Sequence, residues 1–197
     1  MRVTRPFYRF FLVLVVLLGI LFIQPKWVGR LVYPVSYKSD IVQQANQNHL
    51  SPYLIAAIIR VESNFGSDKT SSRAAVGLMQ LLPETADDVI VRAQLGDVRV
   101  DELQQPKTNI AIGTAYVALL QAQFADITAE LDEQSRIAVL ATAYNAGPGT
   151  TRTWLTDGTW DGTYAHVKAI PVGETRHYVQ RIVYYYNKYK KLDVFAP

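Results

Sequence analysis

Apolar positions recur at three- and four-residue steps along most of this chain, the spacing that gathers side chains on one face of a helix. Ile55, Ile58 and Ile59 mark such a face in the stretch Ser51 to Val61, and Thr108 to Phe124 carries Ile112, Tyr116, Leu119, Leu120 and Gln123. Gln134 to Tyr144 repeats the pattern with Ile137, Leu140, Ala141 and Tyr144, and Glu174 to Lys191 with Tyr178, Ile182, Tyr185 and Tyr189. No Val/Thr-rich run alternates with period two for long enough to build a sheet. The pattern predicts a mostly α-helical domain. It breaks at Asn64 to Val76, Gly96 to Pro106 and Gly147 to Pro171, where loops are expected to line whatever cleft exists.

A different pattern opens the chain. Phe10 to Ile23 holds no polar side chain, follows Arg2, Arg5 and Arg9, and is closed by Gln24-Pro25-Lys26. A positive flank before an apolar run is the mark of a secretory signal or of an anchor with its N-terminus inside. No Ala-x-Ala type cleavage site follows, so residues 1–24 are expected to be an uncleaved transmembrane signal anchor, with the cytoplasmic (inner) membrane as partner and the remaining chain exported. Residues 25–39, with Pro25, Gly29 and Pro34 and no clear period, are expected to form a tether, and residues 40–197 the folded domain.

With 197 residues, 49% hydrophobic and 19% charged, the chain suffices for one well-packed domain. A pI near 9.0 invites a nucleic-acid reading. Yet Arg2, Arg5, Arg9, Lys26 and Arg30 fall in the first thirty residues, which hold no acid; without them the 20 basic residues no longer outnumber the 17 acidic ones. The basicity belongs to targeting, and no nucleic-acid partner is expected. The absence of cysteine excludes a disulfide and a lipid-modified N-terminal Cys.

Glu62 is the residue that carries candidate chemistry. It falls four residues after Ile58 and seven after Ile55, so a carboxyl continues a core stripe. Burial disfavours the charged form, which makes such a group a general acid near neutral pH; an ordinary helix-terminal Glu with its head in solvent is the alternative. Asp87 and Asp88, after Pro83-Glu84-Thr85, read as a solvated helix face. Asp157 to Tyr164 reads as two Asp-Gly turns, each followed by an aromatic, with Trp160 or Tyr164 as a minor candidate for stacking on a ligand ring. His49, His166 and His177 are dispersed, and no spacing fits a metal site or a cofactor.

Glu62-Ser63-Asn64-Phe65, Ser71, Gly77-Leu78-Met79-Gln80, Ala143-Tyr144-Asn145-Ala146-Gly147-Pro148-Gly149 and Ile170-Pro171 before Glu174-Thr175-Arg176-His177-Tyr178-Val179 occur in that order. Together they resemble the catalytic domain of the soluble lytic transglycosylase (SLT-type) family, over roughly residues 40 to 192. The resemblance implies a goose-type lysozyme-like fold and peptidoglycan glycan strands as substrate. It also implies cleavage of the bond between N-acetylmuramic acid and N-acetylglucosamine without water, through Glu62 as acid and then as base, leaving a 1,6-anhydro end. By the same resemblance Ser71 lies near the 2-acetamido group, and Met79 offers an adaptable apolar surface on the cleft floor. Gln80, Tyr144 and Asn145 contact sugar, and the Tyr178 hydroxyl lies near the catalytic carboxyl. The loop after Phe65 departs from the family pattern at Gly66-Ser67 and Ala74-Ala75. A goose-lysozyme-type hydrolase, which requires a second carboxylate, and a non-catalytic glycan-binding protein are the alternatives. The sequence names no recruiting cell-wall or secretion machinery.

Overall fold

A computed structural model describes residues 5–23 and 26–196. Its elements are α1 (Arg5–Ile23), α2 (Lys26–Val32), α3 (Lys38–Gln47), α4 (Pro52–Glu62), α5 (Pro83–Arg92), α6 (Pro106–Gln123), α7 (Ala125–Thr128), α8 (Glu133–Ala146), α9 (Pro148–Thr156) and α10 (Gly173–Leu192), with short 3-10 turns at Val100–Glu102 and Val167–Ala169. Among the described residues no β-strand forms; Val76 makes isolated bridges to Thr70 and Leu81. The mostly α-helical expectation therefore holds.

The helices start where local chemistry starts them. Pro52, Pro83, Pro106 and Pro148 each occupy a first helical position, where the missing N–H is harmless and φ is already set. Asp132 caps α8 by accepting from the Ser135 N–H at 3.0 Å. Helix α10 lies at the centre and packs against both α4 and α8, while α6 is flanked by α3, α5 and α8. Ile55, Ile58 and Ile59 of α4 and Val179, Ile182 and Tyr189 of α10 are buried in the shared core.

Two regions differ from the sequence reading. The expected tether contains α2, which is docked on the end of α10. Gly29 leaves room for the Leu192 side chain, since a Cβ there would sit 2.2 Å from Leu192 Cδ2. The Arg30 guanidinium donates to the terminal carbonyls of Leu192 (3.3 Å) and Asp193 (2.9 Å), satisfying helix-end acceptors that no short-range pattern pairs. The break expected from Gly147 to Pro171 contains α9, because Gly147 at φ 85° turns the chain and Pro148 restarts a helix. Within that segment Asp157 and Asp161 each accept the backbone N–H two residues on, so both are Asx turns. Trp160 is buried, its indole N–H donating to the Thr163 carbonyl, so its ring is closed to a sugar, while Tyr164 is half-buried against the core.

Residues 1–4, 24 and 25 of the expected anchor and tether lie outside the described residues. Helix α1 follows the apolar run and exposes Phe10, Phe11, Leu12 and Val13. Among the described residues no helix is long and apolar enough to cross a membrane.

Candidate active site

The apolar face of α4 ends at Glu62, whose carboxyl emerges from the core into an open cleft of about 450 Å³. Tyr178, one and a half turns into α10, donates its hydroxyl proton to Glu62 Oε1 at 2.7 Å. Burial raises the Glu62 pKa from 4.5 to about 7, with the Tyr178 hydrogen bond and the positive charge of Arg181 opposing part of that rise. Near neutrality the acid is poised between its two forms, as a group that must give and then take a proton requires. Burial, followed by the charge of Glu62, pushes the phenols of Tyr144 and Tyr178 far above their ordinary range, so both stay neutral donors.

The segment from Ser71 to Leu81 forms the opposing wall. Ser71 Oγ accepts the Arg73 and Ala75 N–H groups at 3.2 and 3.0 Å, which closes the turn through Ala74 (φ 60°) and leaves its own proton free to donate. The Gln80 side-chain amide donates to the carbonyls of Gly77 (2.9 Å) and Lys69 (3.2 Å). Only its Oε1 remains to receive a sugar hydroxyl, a narrower capacity than the sequence implied. Tyr144 donates to the Met79 carbonyl at 2.7 Å, and its ring lies tilted at 49° against Tyr116 with the centroids 5.3 Å apart. Asn145 is exposed at the end of α8 beside the same cleft, and its side chain makes no hydrogen bond to the protein among the described residues.

One expected contact is corrected. Met79 is 0% exposed and does not line the cleft floor. Its side chain is turned inward against α6 at Gly113, where a Cβ would lie 2.3 Å from the Met79 sulfur. The left-handed residues Gly77 (φ 78°) and Gln80 (φ 47°) bracket the tetrapeptide and turn Met79 towards the core while Gln80 faces the cleft.

Sequence reasoning missed two residues. Asn109, in the first turn of α6 and fully buried, accepts the Met79 N–H at 2.8 Å. It donates to the carbonyls of Val76 (2.9 Å) and Leu103 (2.8 Å), tying the cleft-floor loop to the helix. A Cβ at Gly77 would come within 2.4 Å of Asn109 Nδ2, which is why glycine stands there. The signal was a polar residue beside Ile110 and Ile112 on a core helix. Glu174, in the first turn of α10, lines the cleft as a second carboxylate; its place at a helix N-terminus has its own explanation, which hid it. Asp87 and Asp88 are exposed on α5, with Asp88 paired to Arg92, outside the cleft. Among the described residues no group of His, Asp and Glu is arranged to hold a metal.

A helical domain that carries one shielded acid, held by a tyrosine, in an open polar cleft takes its place with the lysozyme-like folds. More particularly, residues 39–167 match the transglycosylase SLT domain, and the chain belongs to that family. It is 35% identical over 161 residues to the soluble lytic murein transglycosylase of Salmonella typhimurium, covering 80% of this chain and 23% of that protein. To the membrane-bound lytic murein transglycosylase E of Buchnera aphidicola it is 36% identical over 94 residues, 47% of this chain and 42% of the relative. The crystal structure of the 70 kDa soluble lytic transglycosylase of Escherichia coli superposes with a TM-score of 0.72 at 30% identity, over 83% of this chain and 25% of that one. The chain thus spans about a quarter of the length of the soluble relatives.

Proposed function

We propose that this chain is a peptidoglycan lytic transglycosylase, and the observation that carries the reading is the single shielded acid, Glu62, hydrogen-bonded by Tyr178 in an open cleft. Protonated Glu62 gives its proton to the oxygen joining C1 of N-acetylmuramic acid to O4 of N-acetylglucosamine, and the C1–O4 bond breaks. The 2-acetamido group steadies the charge at C1, with the free Ser71 proton donated to its carbonyl. The Glu62 carboxylate then takes the proton of the C6 hydroxyl as O6 bonds to C1, closing the 1,6-anhydro ring and restoring the acid. No water enters, and no cofactor is needed. Gln80 Oε1, Tyr144 and Asn145 orient the sugars along the cleft.

Mass analysis of products from purified peptidoglycan tests this. New ends one water lighter than reducing sugars support the reading, and reducing ends overturn it in favour of a hydrolase. Glu174 is the observation on the hydrolytic side, since it could position a water across the cleft. Intact glycan leaves a binding protein.

Because Glu62 must start each turnover protonated, kcat/KM is expected to fall about tenfold per pH unit once pH passes about 7. The Tyr178 bond favours the carboxylate, so Tyr178→Phe should move that alkaline limb to higher pH while lowering the maximum rate. A limb that stays in place detaches Tyr178 from the titrating group. Asn145→Ala should raise KM or lower kcat/KM without changing the melting temperature, because it removes a cleft contact and no core area. Unchanged kinetics in that variant place the glycan elsewhere.

The N-terminal segment supports a membrane-anchored form with the domain facing the cell wall. Within α1 the apolar run Phe10 to Ile23 follows Arg2, Arg5 and Arg9, the charge pattern of an anchor with its N-terminus inside. Protein that retains Met1 and leaves membranes only with detergent is expected; mature protein beginning after residue 24 in a soluble fraction overturns the anchor.

A further inference from the structure

The anchor and the domain are joined by a surface that the catalytic reading does not use. In α2, Trp27, Leu31 and Val32 are exposed, Leu31 at 72%, although the helix is docked on α10 through Gly29 and Arg30. Tyr33 continues that docking, its hydroxyl 2.7 Å from the Tyr184 hydroxyl and its ring under the Lys188 ammonium at 5.1 Å. Beside them a hollow of about 330 Å³ is lined by Tyr164, Tyr184, Asn187, Lys188 and Lys191. Neither α2 nor the hollow contributes an acidic side chain. The acids near the end of α10 are engaged: Asp193 accepts from Tyr53 at 2.8 Å, and Glu133 holds Lys190. Lys26, Lys188 and Lys191 have no ion-pair partner among the described residues.

Exposed Trp and Leu rimmed by tyrosines and unpaired lysines are what the boundary between acyl chains and headgroups selects. We infer that α2 and the C-terminal end of α10 form one rigid seat for an anionic bilayer surface, with Trp27 and Leu31 entering the interface and Lys26, Lys188 and Lys191 facing lipid phosphates. The occupant follows from charge complementarity and from continuity with α1, so the inference rests on the membrane reading of that helix. The consequence is positional. Tyr178 lies near the start of α10 and Lys191 near its end, on the order of 20 Å apart along the axis. A seated domain therefore carries its cleft at a set distance from the bilayer and does not sweep freely on a tether.

The chain has no cysteine, so single nitroxide labels can be placed without background. The full-length protein would be labelled at Phe11→Cys, Leu31→Cys, Asn187→Cys and, on exposed α5, Val91→Cys. Each is reconstituted into vesicles with one third phosphatidylglycerol or into wholly zwitterionic vesicles, and accessibility to a water-soluble nickel chelate is read by paramagnetic relaxation. Labels at Leu31 and Asn187 should be shielded on the anionic vesicles and more open on the zwitterionic ones, with Val91 open on both. At roughly fivefold per lysine, Lys26→Ala with Lys191→Ala should shift the ratio of seated to released domain about 25-fold towards release. Activity on soluble glycan fragments should be unaffected. Leu31 and Asn187 labels as open as that at Val91, with the Phe11 label embedded, overturn the seat and leave the anchor standing. An open Phe11 label with a shielded Leu31 overturns the anchor alone. Equal shielding on both vesicle types, unmoved by the lysine substitutions, overturns the recognition of anionic lipid.

Discussion

Glu62→Gln is expected to lower anhydromuropeptide production by at least about 10²-fold and towards about 10⁴-fold, the range for losing a general acid, because the same group also serves as base. Glutamine keeps the length and the acceptor for the Tyr178 hydroxyl, so the fold and the 2.7 Å contact have no reason to change. Stability should move the other way. A carboxyl whose pKa rises from 4.5 to about 7 on folding favours the folded state in its protonated form. Its contribution is full below the unfolded value, shrinks across the interval and is gone above about 7. The neutral amide loses nothing over that interval, so Glu62→Gln should be more stable than the parent at pH 8, by up to about 3 kcal/mol, and equal to it near pH 4. A variant that retains more than about a tenth of the activity sinks the assignment of Glu62, since that loss is far below the one expected of a general acid. An inactive variant with no gain at pH 8 would keep the acid but remove the claim that burial tunes it.

The same residue explains why so much of the site was legible. A core stripe is written in the sequence at helical period, and an acid on that stripe stands out, so Glu62 and the helices carrying Tyr144 and Tyr178 could be read without coordinates. What could not be read depends on chain reversal or on distant partners. Met79 belongs to a tetrapeptide that resembles a cleft segment, but the left-handed turns at Gly77 and Gln80 decide which side chain faces in, and they leave no period behind them. The docking of α2 joins residues more than 150 positions apart, Arg30 to Leu192 and Tyr33 to Tyr184, so its local pattern resembled a tether. Trp160 shows the converse: two Asp-Gly turns were evident, yet whether the aromatic between them pointed to solvent or to core was a tertiary outcome.

Asn109→Leu should produce the second large effect, although the residue touches no substrate. Leucine keeps the branched four-atom skeleton of asparagine, somewhat bulkier, but offers neither donor nor acceptor, so the Met79 N–H and the Val76 and Leu103 carbonyls lose their Asn109 partner. The site is fully buried, and water cannot substitute without opening it. The Val76 carbonyl keeps the Leu81 N–H at 3.1 Å, but the other two groups are orphaned, and at about 1–3 kcal/mol each a loss of roughly 2–6 kcal/mol is the expected scale, with a corresponding drop in melting temperature. The loop that loosens carries Gln80 and the Met79 carbonyl that receives the Tyr144 hydroxyl, so kcat/KM should fall even at temperatures where the variant is fully folded. Asn109→Asp separates geometry from size: a carboxylate can still accept from the Met79 N–H but cannot donate to either carbonyl. It should fail on the Val76 and Leu103 side and add the penalty of a buried charge. Thermal melts of both variants, with kinetics taken well below each transition, distinguish these effects. A leucine variant that melts with the parent and turns over normally would show that the cleft-floor loop holds its shape without Asn109, and the Gly77 turn would then have to account for it alone.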